Sequence, residues 1–576
     1  MLRSLDISRA MRLVCRLGAV ASAGVLLTAM TGPATAAPPV TAERQMVVAA
    51  NPLAAKAGRD ILRAGGSAID AAIATSLVLN LVEPQSSGIG GGAFLLHYDG
   101  KSGEITAYDG RETAPAAAGP DLFLRPDGEP MGFWEAVVGG RSVGVPGLLR
   151  MFELAHKAHG RLPWAALFEP AIRLAEEGFA VSPRLNELIA RDKYLMTFPR
   201  AAAYFYDASG APLAVGTILR NPTFAETLRR VARDGADAFY TGPIAEAIIA
   251  AVQGAALNPG GLTLSDLVGY RAKQRPPVCG PYRAWRVCGM PPPTSGGVTM
   301  LQILGILQGF DLPALTPDSA TAWHLITEAS RLAFADRNRF LADSDFVPVP
   351  VGDLLDPAYL ARRGGLISPD ASLGKALPGL PTQNGAMPVQ YDPPSTSHLV
   401  VVDADGNAVS MTASIENAFG ARLMAAGFML NNELTDFSFR PETDGRPVAN
   451  RVEAGKRPRS SMAPTMVLDG QGKLVLAVGS PGGSRIIGYV VKSIVGVLDW
   501  GLDMQAAIDL PNVVNRNGAT DVEEGAASAA LADGLIALGQ EVKVKSLNSG
   551  LHGVEITRSG LTGGADPRRE GIALGD

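Results

Sequence analysis

Midway along the chain an aperiodic stretch gives way to a hairpin, and a threonine stands at the junction. Residues 365–395 are rich in Pro, Gly and Ala and read as an exposed linker. Ser395-Thr396-Ser397-His398 then opens a strand through Leu399-Val400-Val401-Val402, which turns at Ala404-Asp405-Gly406-Asn407 and returns as Ala408-Val409-Ser410-Met411-Thr412. A chain cut at this junction would begin with a threonine, whose hydroxyl nucleophile lies beside its own base, the α-amine. Threonine before a strand is common and alone says little. Two later segments give it weight: Lys456-Arg457-Pro458-Arg459-Ser460-Ser461-Met462-Ala463-Pro464-Thr465 and Gly479-Ser480-Pro481-Gly482-Gly483-Ser484-Arg485.

The 576 residues, 47% hydrophobic and 19% charged, suffice for a large globular core. Residues 1–36 read as a secretory signal. Arg3, Arg9, Arg12 and Arg16 precede the apolar run Leu17 to Met30, and Ala34-Thr35-Ala36 fits a cleavage site after Ala36. An uncleaved anchor is the alternative. Removing four Arg and Asp6 takes the formal charge from −5 to −8. With no basic stripe, nucleic acid is excluded as a partner, and no later segment is apolar enough to span a membrane. Cys279 and Cys288 flank a short turn, so an oxidising compartment would favour a cross-hairpin disulfide over two buried thiols.

Periodicity predicts a strand from Gln45 to Ala49 and a helix from Asn51 or Pro52 to Ala64. It predicts a buried helix from Ile69 to Val82 and a hairpin from Phe94 to Tyr98 and Glu104 to Tyr108. Residues 145–275 read as mainly helical, as does Trp323 to Leu341. Later come a strand from Leu474 to Val478, helices from Ile486 to Leu498 and near Met504 to Asp509, and short strands to the end. Strands at both ends with helices between predict one interleaved α/β core.

Three patterns invite other chemistries. Gly88-Ile89-Gly90-Gly91-Gly92-Ala93 matches a dinucleotide fingerprint, but a helix precedes it and a strand follows, the reverse of what that motif needs. It reads better as a turn that brings backbones close. Gly140-Arg141-Ser142-Val143-Gly144 matches a hydrolase nucleophile elbow, with His552 in the right order for a triad. The regular strand–helix alternation of that fold is missing, so a turn serine is the plainer reading. His156 and His159 have no third ligand nearby in sequence and read as ordinary histidines.

The segments after Thr396 hold complementary chemistry. Ser460 and Ser461 are suited to hydrogen-bond a carboxylate. The strand–glycine–helix run from Leu474 to Gly483 suits an anion or oxyanion. Glu433 and Asp436, three apart, suit an ammonium group. Taken singly, each also reads as a polar loop or turn.

Together these runs resemble the gamma-glutamyltransferase family. The resemblance is carried by Thr396-Ser397-His398, Asp405-Gly406-Asn407-Ala408-Val409-Ser410, Leu430-Asn431-Asn432-Glu433 with Asp436-Phe437, Lys456-Arg457-Pro458 with Ser460-Ser461-Met462, and Ser480-Pro481-Gly482-Gly483. The first half agrees through Ser87-Gly88-Ile89-Gly90-Gly91-Gly92, Asp109-Gly110-Arg111-Glu112-Thr113-Ala114-Pro115, Ser142-Val143-Gly144-Val145-Pro146-Gly147 and Pro291-Pro292-Pro293-Thr294-Ser295-Gly296-Gly297.

The resemblance implies an α+β fold, the four-layer αββα sandwich of N-terminal nucleophile hydrolases. It implies self-cleavage between Ser395 and Thr396 into a large subunit, 37–395, and a small one, 396–576, that stay associated. It implies a cofactor-free periplasmic or secreted enzyme that uses no metal. Thr396 would attack a γ-glutamyl amide such as glutathione, and the acyl group would pass to water, an amino acid or a peptide. Gly482 and Gly483 would stabilise the oxyanion and Thr412 would orient the Thr396 hydroxyl. Arg111, Ser460 and Ser461 would take the substrate α-carboxylate, and Glu433 and Asp436 its α-ammonium, with Ser414 and Glu416 beside them.

Two departures stand out. Glu416 occupies a position where many members carry Asn, and the stretch from Phe437 to Gly455 has no Tyr or Trp to form an aromatic lid. Both leave room for an acylase of dicarboxylic side chains, such as glutaryl-cephalosporins, on the same scaffold. A Ser142–His552 esterase and a non-enzymatic periplasmic binding protein are the remaining alternatives.

Overall fold

A computed structural model describes residues 38–380 and 395–576. The expected signal and its cleavage after Ala36 lie outside the described residues, as do 381–394 of the expected linker. No helix among the described residues is long and apolar enough to cross a membrane.

Two seven-stranded antiparallel sheets form the centre. The first runs Ile572–Gly575, Met46–Ala49, Ser397–Val402, Ala408–Ser414, Gly92–Tyr98, Ile105–Asp109 and Lys273–Arg275. The second runs Val40–Ala42, Gly560–Ala565, His552–Thr557, Leu474–Gly479, Thr465–Leu468, Trp285–Gly289 and Val278–Tyr282. Each sheet mixes strands from before and after the Ser395–Thr396 bond.

Alternation along the first sheet explains its burial on both faces. Val47, Ala49, Leu399 and Val401 point to one core, shared with the helices Pro52–Arg63 and Ala68–Val82. Met46, Val48, Val400 and Val402 point to a second core, shared with the opposite sheet and the helices Gly296–Leu307, Ala320–Phe340 and Ile486–Leu498. A strand with period two can serve two cores only if both sets are apolar, and each such side chain contributes roughly 1.5–3 kcal/mol by burial. The layers are therefore helix, sheet, sheet, helix.

The helices start where the chemistry directs. Asn51 accepts from the Leu53 amide at the first, with proline at its first position. Ser67 and Asp70 form a reciprocal capping box at the second. That second helix is buried along its whole length, which matches its lack of charge after Asp70.

Three details refine the sequence reading. The end of the chain is not strands alone, because Ala526–Ala537 is a helix whose buried Ser528, Leu531, Ala532 and Leu535 follow helical spacing. The described part of the expected linker is mostly exposed but pinned. The Ser372 amide donates to the Leu538 carbonyl, and the Leu373 amide to Glu328, each at 2.9 Å. Cys279 and Cys288 face each other across the hairpin and form a disulfide.

Candidate active site

Thr396 sits at the mouth of its strand, 5% exposed, with φ at +89°. A β-branched residue at positive φ is strained, at a cost of about 1–3 kcal/mol. Its neighbours hold it there. The Thr396 hydroxyl lies 3.0 Å from the Ser414 hydroxyl. The Ser414 oxygen accepts from the Glu416 amide at 2.8 Å, which leaves the Ser414 proton available toward Thr396. Arg569 Nη1 donates to the Thr396 carbonyl at 2.9 Å. The Gly482 amide donates to the Ser395 carbonyl at 3.2 Å, and the Ser395 hydroxyl donates to the Gln85 carbonyl at 3.0 Å. The bond between Ser395 and Thr396 is thus gripped from both sides.

Thr412 is not the hydroxyl beside the nucleophile. The antiparallel register pairs Ser397 with Ala413 and His398 with Thr412. One residue further back, it sets Thr396 opposite Ser414. Thr412 instead meets His398 Nδ1 at 2.9 Å. His398 stacks on His552 with centroids 6.4 Å apart, and burial pushes both rings well below the ordinary histidine range, His552 to about 3. Ser142 does not approach that pair. Its hydroxyl donates to the carbonyls of Val137 and Gly139 at 2.7 and 3.2 Å, so it is a turn serine.

The acyl side of the cleft is built from ions. Arg111, fully buried, pairs through Nη1 with Glu433 and through Nη2 with Asp436, and its Nε donates to the Pro458 carbonyl at 3.2 Å. Glu112 lies 3.9 Å from Arg111, and neither of its carboxylate oxygens has a hydrogen bond among the described residues. Burial pushes Glu112 well up, and the nearby Glu433 adds to this. Burial likewise pushes Glu433 up to about 7, against the pull of Arg111. The Asn432 side-chain amide donates to Glu416. A zwitterionic head group could exchange with these internal pairs, its carboxylate on Arg111 and its ammonium on Glu433 and Asp436.

Ser460 and Ser461 line the cleft beside Arg111, which donates to the preceding carbonyls of Pro458 and Arg459 at 3.2 and 3.5 Å. The run Thr294-Ser295 buttresses them. Thr294 donates to the Met462 carbonyl and Ser295 to the Ser460 carbonyl, each at 2.7 Å. Arg337 Nη2 donates to the Ser461 hydroxyl at 2.5 Å. Gly483 begins the turn Gly483–Arg485 that leads into the helix Ile486–Leu498. The cleft therefore gathers Thr396, Ser414, Glu416, Glu433, Asp436, Ser460, Ser461 and Gly483. Its volume is about 30 Å³, room for about one or two waters and not for an acyl group.

The glycine run has a steric reason. A Cβ on Gly91 would stand 2.0 Å from the Ser414 carbonyl, and one on Gly90 2.1 Å from that of Met429. The run lies against the strand that carries Ser414. The two helix histidines have local partners: His156 Nε2 meets the Leu162 carbonyl at 3.0 Å and His159 Nε2 the Tyr108 hydroxyl at 2.8 Å.

Sequence reasoning missed Arg569 and Glu83. Glu83 accepts from the Ser397 hydroxyl at 2.8 Å. Arg569 is buried in an unfavourable setting. Burial pushes it down to about 9, Arg184 adds to the push, and its Nη2 has no hydrogen bond among the described residues. Only the sheet order, with Ile572–Gly575 two strands from Ser397–Val402, brings it to Thr396.

The Gamma-glutamyltranspeptidase family model matches residues 54–576. The "Glutathione hydrolase proenzyme" of Bacillus subtilis (strain 168) is 38% identical over 546 residues, covering 92% of this chain and 91% of that protein. Its Escherichia coli (strain K12) namesake is 37% identical over 545 residues, with coverages of 92% and 91%. The crystal structure of cephalosporin acylase from Bacillus halodurans superposes with a TM-score of 0.83 at 29% identity, covering 96% of this chain and 99% of that one. With this geometry and these relatives, the chain belongs to the gamma-glutamyltranspeptidase family.

Proposed function

We propose that this protein is a self-processing gamma-glutamyltransferase that cleaves γ-glutamyl amides, glutathione among them, through a γ-glutamyl ester on Thr396. The observation that carries the reading is the setting of the Ser395–Thr396 bond. A hydroxyl nucleophile adjoins a carbonyl whose oxygen already accepts the Gly482 amide. Attack by the Thr396 oxygen would place negative charge on that carbonyl oxygen. One such donor is worth roughly 2.7–4 kcal/mol in other enzymes. The carbon–nitrogen bond then breaks, and the hydroxyl proton passes to the Thr396 nitrogen. Water cleaves the resulting ester, leaving a Ser395 carboxylate and a free Thr396. Release of the strained φ favours the cut.

The freed α-amine is the base that the hydroxyl needs, since such amines titrate near ~7.7–8.0 in model peptides. Departure of Ser395 also enlarges a cleft that is too small for an acyl group before the cut. Arg111, Ser460 and Ser461 then hold the α-carboxylate, and Glu433, Asp436 and Glu416 the α-ammonium. Gly482 and Gly483 hold the oxyanion, and Ser414 orients the nucleophile. The two pieces stay together because both sheets draw strands from each. The disulfide and the basic, then apolar, N-terminus support export to the periplasm or beyond.

A glutaryl acylase is the second reading, favoured by the close superposition on cephalosporin acylase. A glutaryl group has no ammonium, so it would leave the acids beside Arg111 without a new partner. Comparing γ-glutamyl and glutaryl amides of one amine separates the two.

Intact mass and N-terminal sequencing test the main reading. Wild type should give two pieces, the smaller beginning Thr-Ser-His-Leu, and Thr396→Ala should stay whole. A folded wild type that remains uncut overturns the mechanism.

A further inference from the structure

Beside the Thr396 cleft lies a far larger hollow, of about 910 Å³, within the ordinary range of ligand pockets. The helix Ala320–Phe340, the segment 372–378 and residues 516–521 and 539–545 supply most of its wall. Eight Arg and Lys side chains line it, against the two acids Asp521 and Glu541. Both acids are already engaged. Asp521 is shared by Arg485, Arg516 and Lys545 at 2.9, 3.5 and 2.6 Å, and Glu541 faces Lys543 at 3.3 Å. Arg331 pairs with Glu328 at 3.1 Å. Arg339 and Lys375 have no ion pair among the described residues.

The crowding is felt at Arg339. Its Nε is buried without a hydrogen bond among the described residues. Burial and the nearby Arg446 push its guanidinium down, against the pull of Asp444. In a chain of net charge −5 this excess of positive charge is local. A concave wall of one sign concentrates opposite charge and draws it in. Five of the eight cations are arginines. Their planar forks bind two oxygens at once, and a phosphate group offers such pairs on every side. A single phosphate would leave most of these cations without a partner, whereas a chain of phosphates would meet several.

Hydrogen bonds link the hollow to the cleft. Arg337 lines the hollow, and it donates from Nη2 to the Ser461 hydroxyl at 2.5 Å and from Nε to the Ser295 hydroxyl at 2.8 Å. Ser295 in turn donates to the Ser460 carbonyl. With its oxygen held by Arg337, Ser461 keeps its proton for a carboxylate in the cleft. An anion in the hollow draws on the same guanidinium and loosens that hold. We propose that the hollow is a binding site, separate from the acyl cleft, for compact anions carrying several phosphate groups, and that its occupant weakens the grip on the donor carboxylate through Arg337. The second half rests on the amidase reading of Thr396.

The probe is inorganic tripolyphosphate, with orthophosphate beside it, and the protein is the wild type as purified. Calorimetry at an ionic strength of about 0.1 M should show saturable binding of tripolyphosphate, about tenfold or more tighter than that of orthophosphate. At about 1 M, where screening acts within about 3 Å, it should weaken by about tenfold. The double variant Arg339→Glu, Lys375→Glu should lose it. The control Arg191→Glu, Lys193→Glu reverses two exposed charges outside the hollow and should keep it. No saturable binding in the wild type overturns the site, and so does binding that survives reversal in the hollow or is lost in the control. In turnover, tripolyphosphate should raise the KM of a γ-glutamyl donor by about fivefold, to a plateau, with kcat unchanged. The double variant should show no rise. A KM that stays level overturns the link to the cleft, and so does one that climbs without limit, as an anion seated in the cleft itself would make it. Wild type that binds tripolyphosphate and cleaves no amide keeps the anion site and sinks the amidase reading. Turnover without binding does the opposite.

Discussion

The two hollows on either side of Ser461 handle charge in opposite ways. In the acyl pocket Arg111 is locked between Glu433 and Asp436, out of water, with Glu112 behind. In the neighbouring hollow basic side chains crowd together, and two acids are divided among several of them. The first arrangement is held by the fold and holds the fold in return. The second gains nothing from its own crowding, since like charges repel, and it becomes favourable when an anion enters. Charges that pair internally are structural until a ligand exchanges with them, while charges left in excess are set for a ligand from the start.

The largest effect should come from breaking the paired side. Arg111→Met would leave Glu433, Asp436 and Glu112 facing one another in a buried site. Removing one member of a buried ion pair typically costs about 3–5 kcal/mol, and we expect a loss in that range from urea unfolding near pH 8. The loss should shrink as pH falls and the acids become protonated. An Arg111→Met protein as stable as wild type would show that the pairing is not structural.

A smaller effect should appear in Glu433→Gln. Burial raises the folded Glu433 from the ordinary 4.5 to about 7. Between those values the folded chain keeps a proton that the unfolded chain has lost, so stability falls as pH rises through that window. The slope contributed by this group is at most about 1.4 kcal/mol per pH unit. Glu433→Gln should flatten the stability–pH curve between about 4.5 and about 7 and leave it parallel to wild type above. The KM of a γ-glutamyl donor should rise below pH 7 in wild type, as Glu433 loses the charge that meets the ammonium. That rise should be lost in the variant. Parallel curves across the window would place the titration elsewhere.

These contrasts were unevenly legible in the sequence. Thr396, Arg111, Glu433 and the Gly482-Gly483 turn belong to short runs in which chain neighbours carry the chemistry, so a linear reading finds them. The sequence alone puts Ser414 with the substrate and Thr412 with the nucleophile. Telling them apart requires the antiparallel register, which depends on how two strands meet. Arg569 reaches Thr396 only through the order of strands in the first sheet. The helix Ala526–Ala537 was missed because its alanines blur the apolar spacing that Leu531 and Leu535 mark. The basic hollow was hidden most completely. Its cations are scattered from Arg331 to Lys545 in an acidic chain, and none forms a run that composition would reveal.

The smallest effect should come from the basic hollow, and its sign sharpens the comparison. Lys375 lines the hollow from a segment held by hydrogen bonds such as that from the Ala376 amide to the Asn517 side-chain oxygen at 2.8 Å. Lys375→Glu removes one positive charge from a like-charged wall and adds a negative one. Substitutions at exposed sites of this kind usually fall within about 0.5 kcal/mol of neutral. Here relief of repulsion should bring the change to zero or slightly above, read as an unchanged or marginally raised Tm at low salt. Adding salt should stabilise the wild type more than the variant, because only the wild type has that repulsion left to screen. A clear destabilisation by Lys375→Glu would mean that the hollow's charges are bound into the fold, as those around Arg111 are, and the distinction between the two sides would fail.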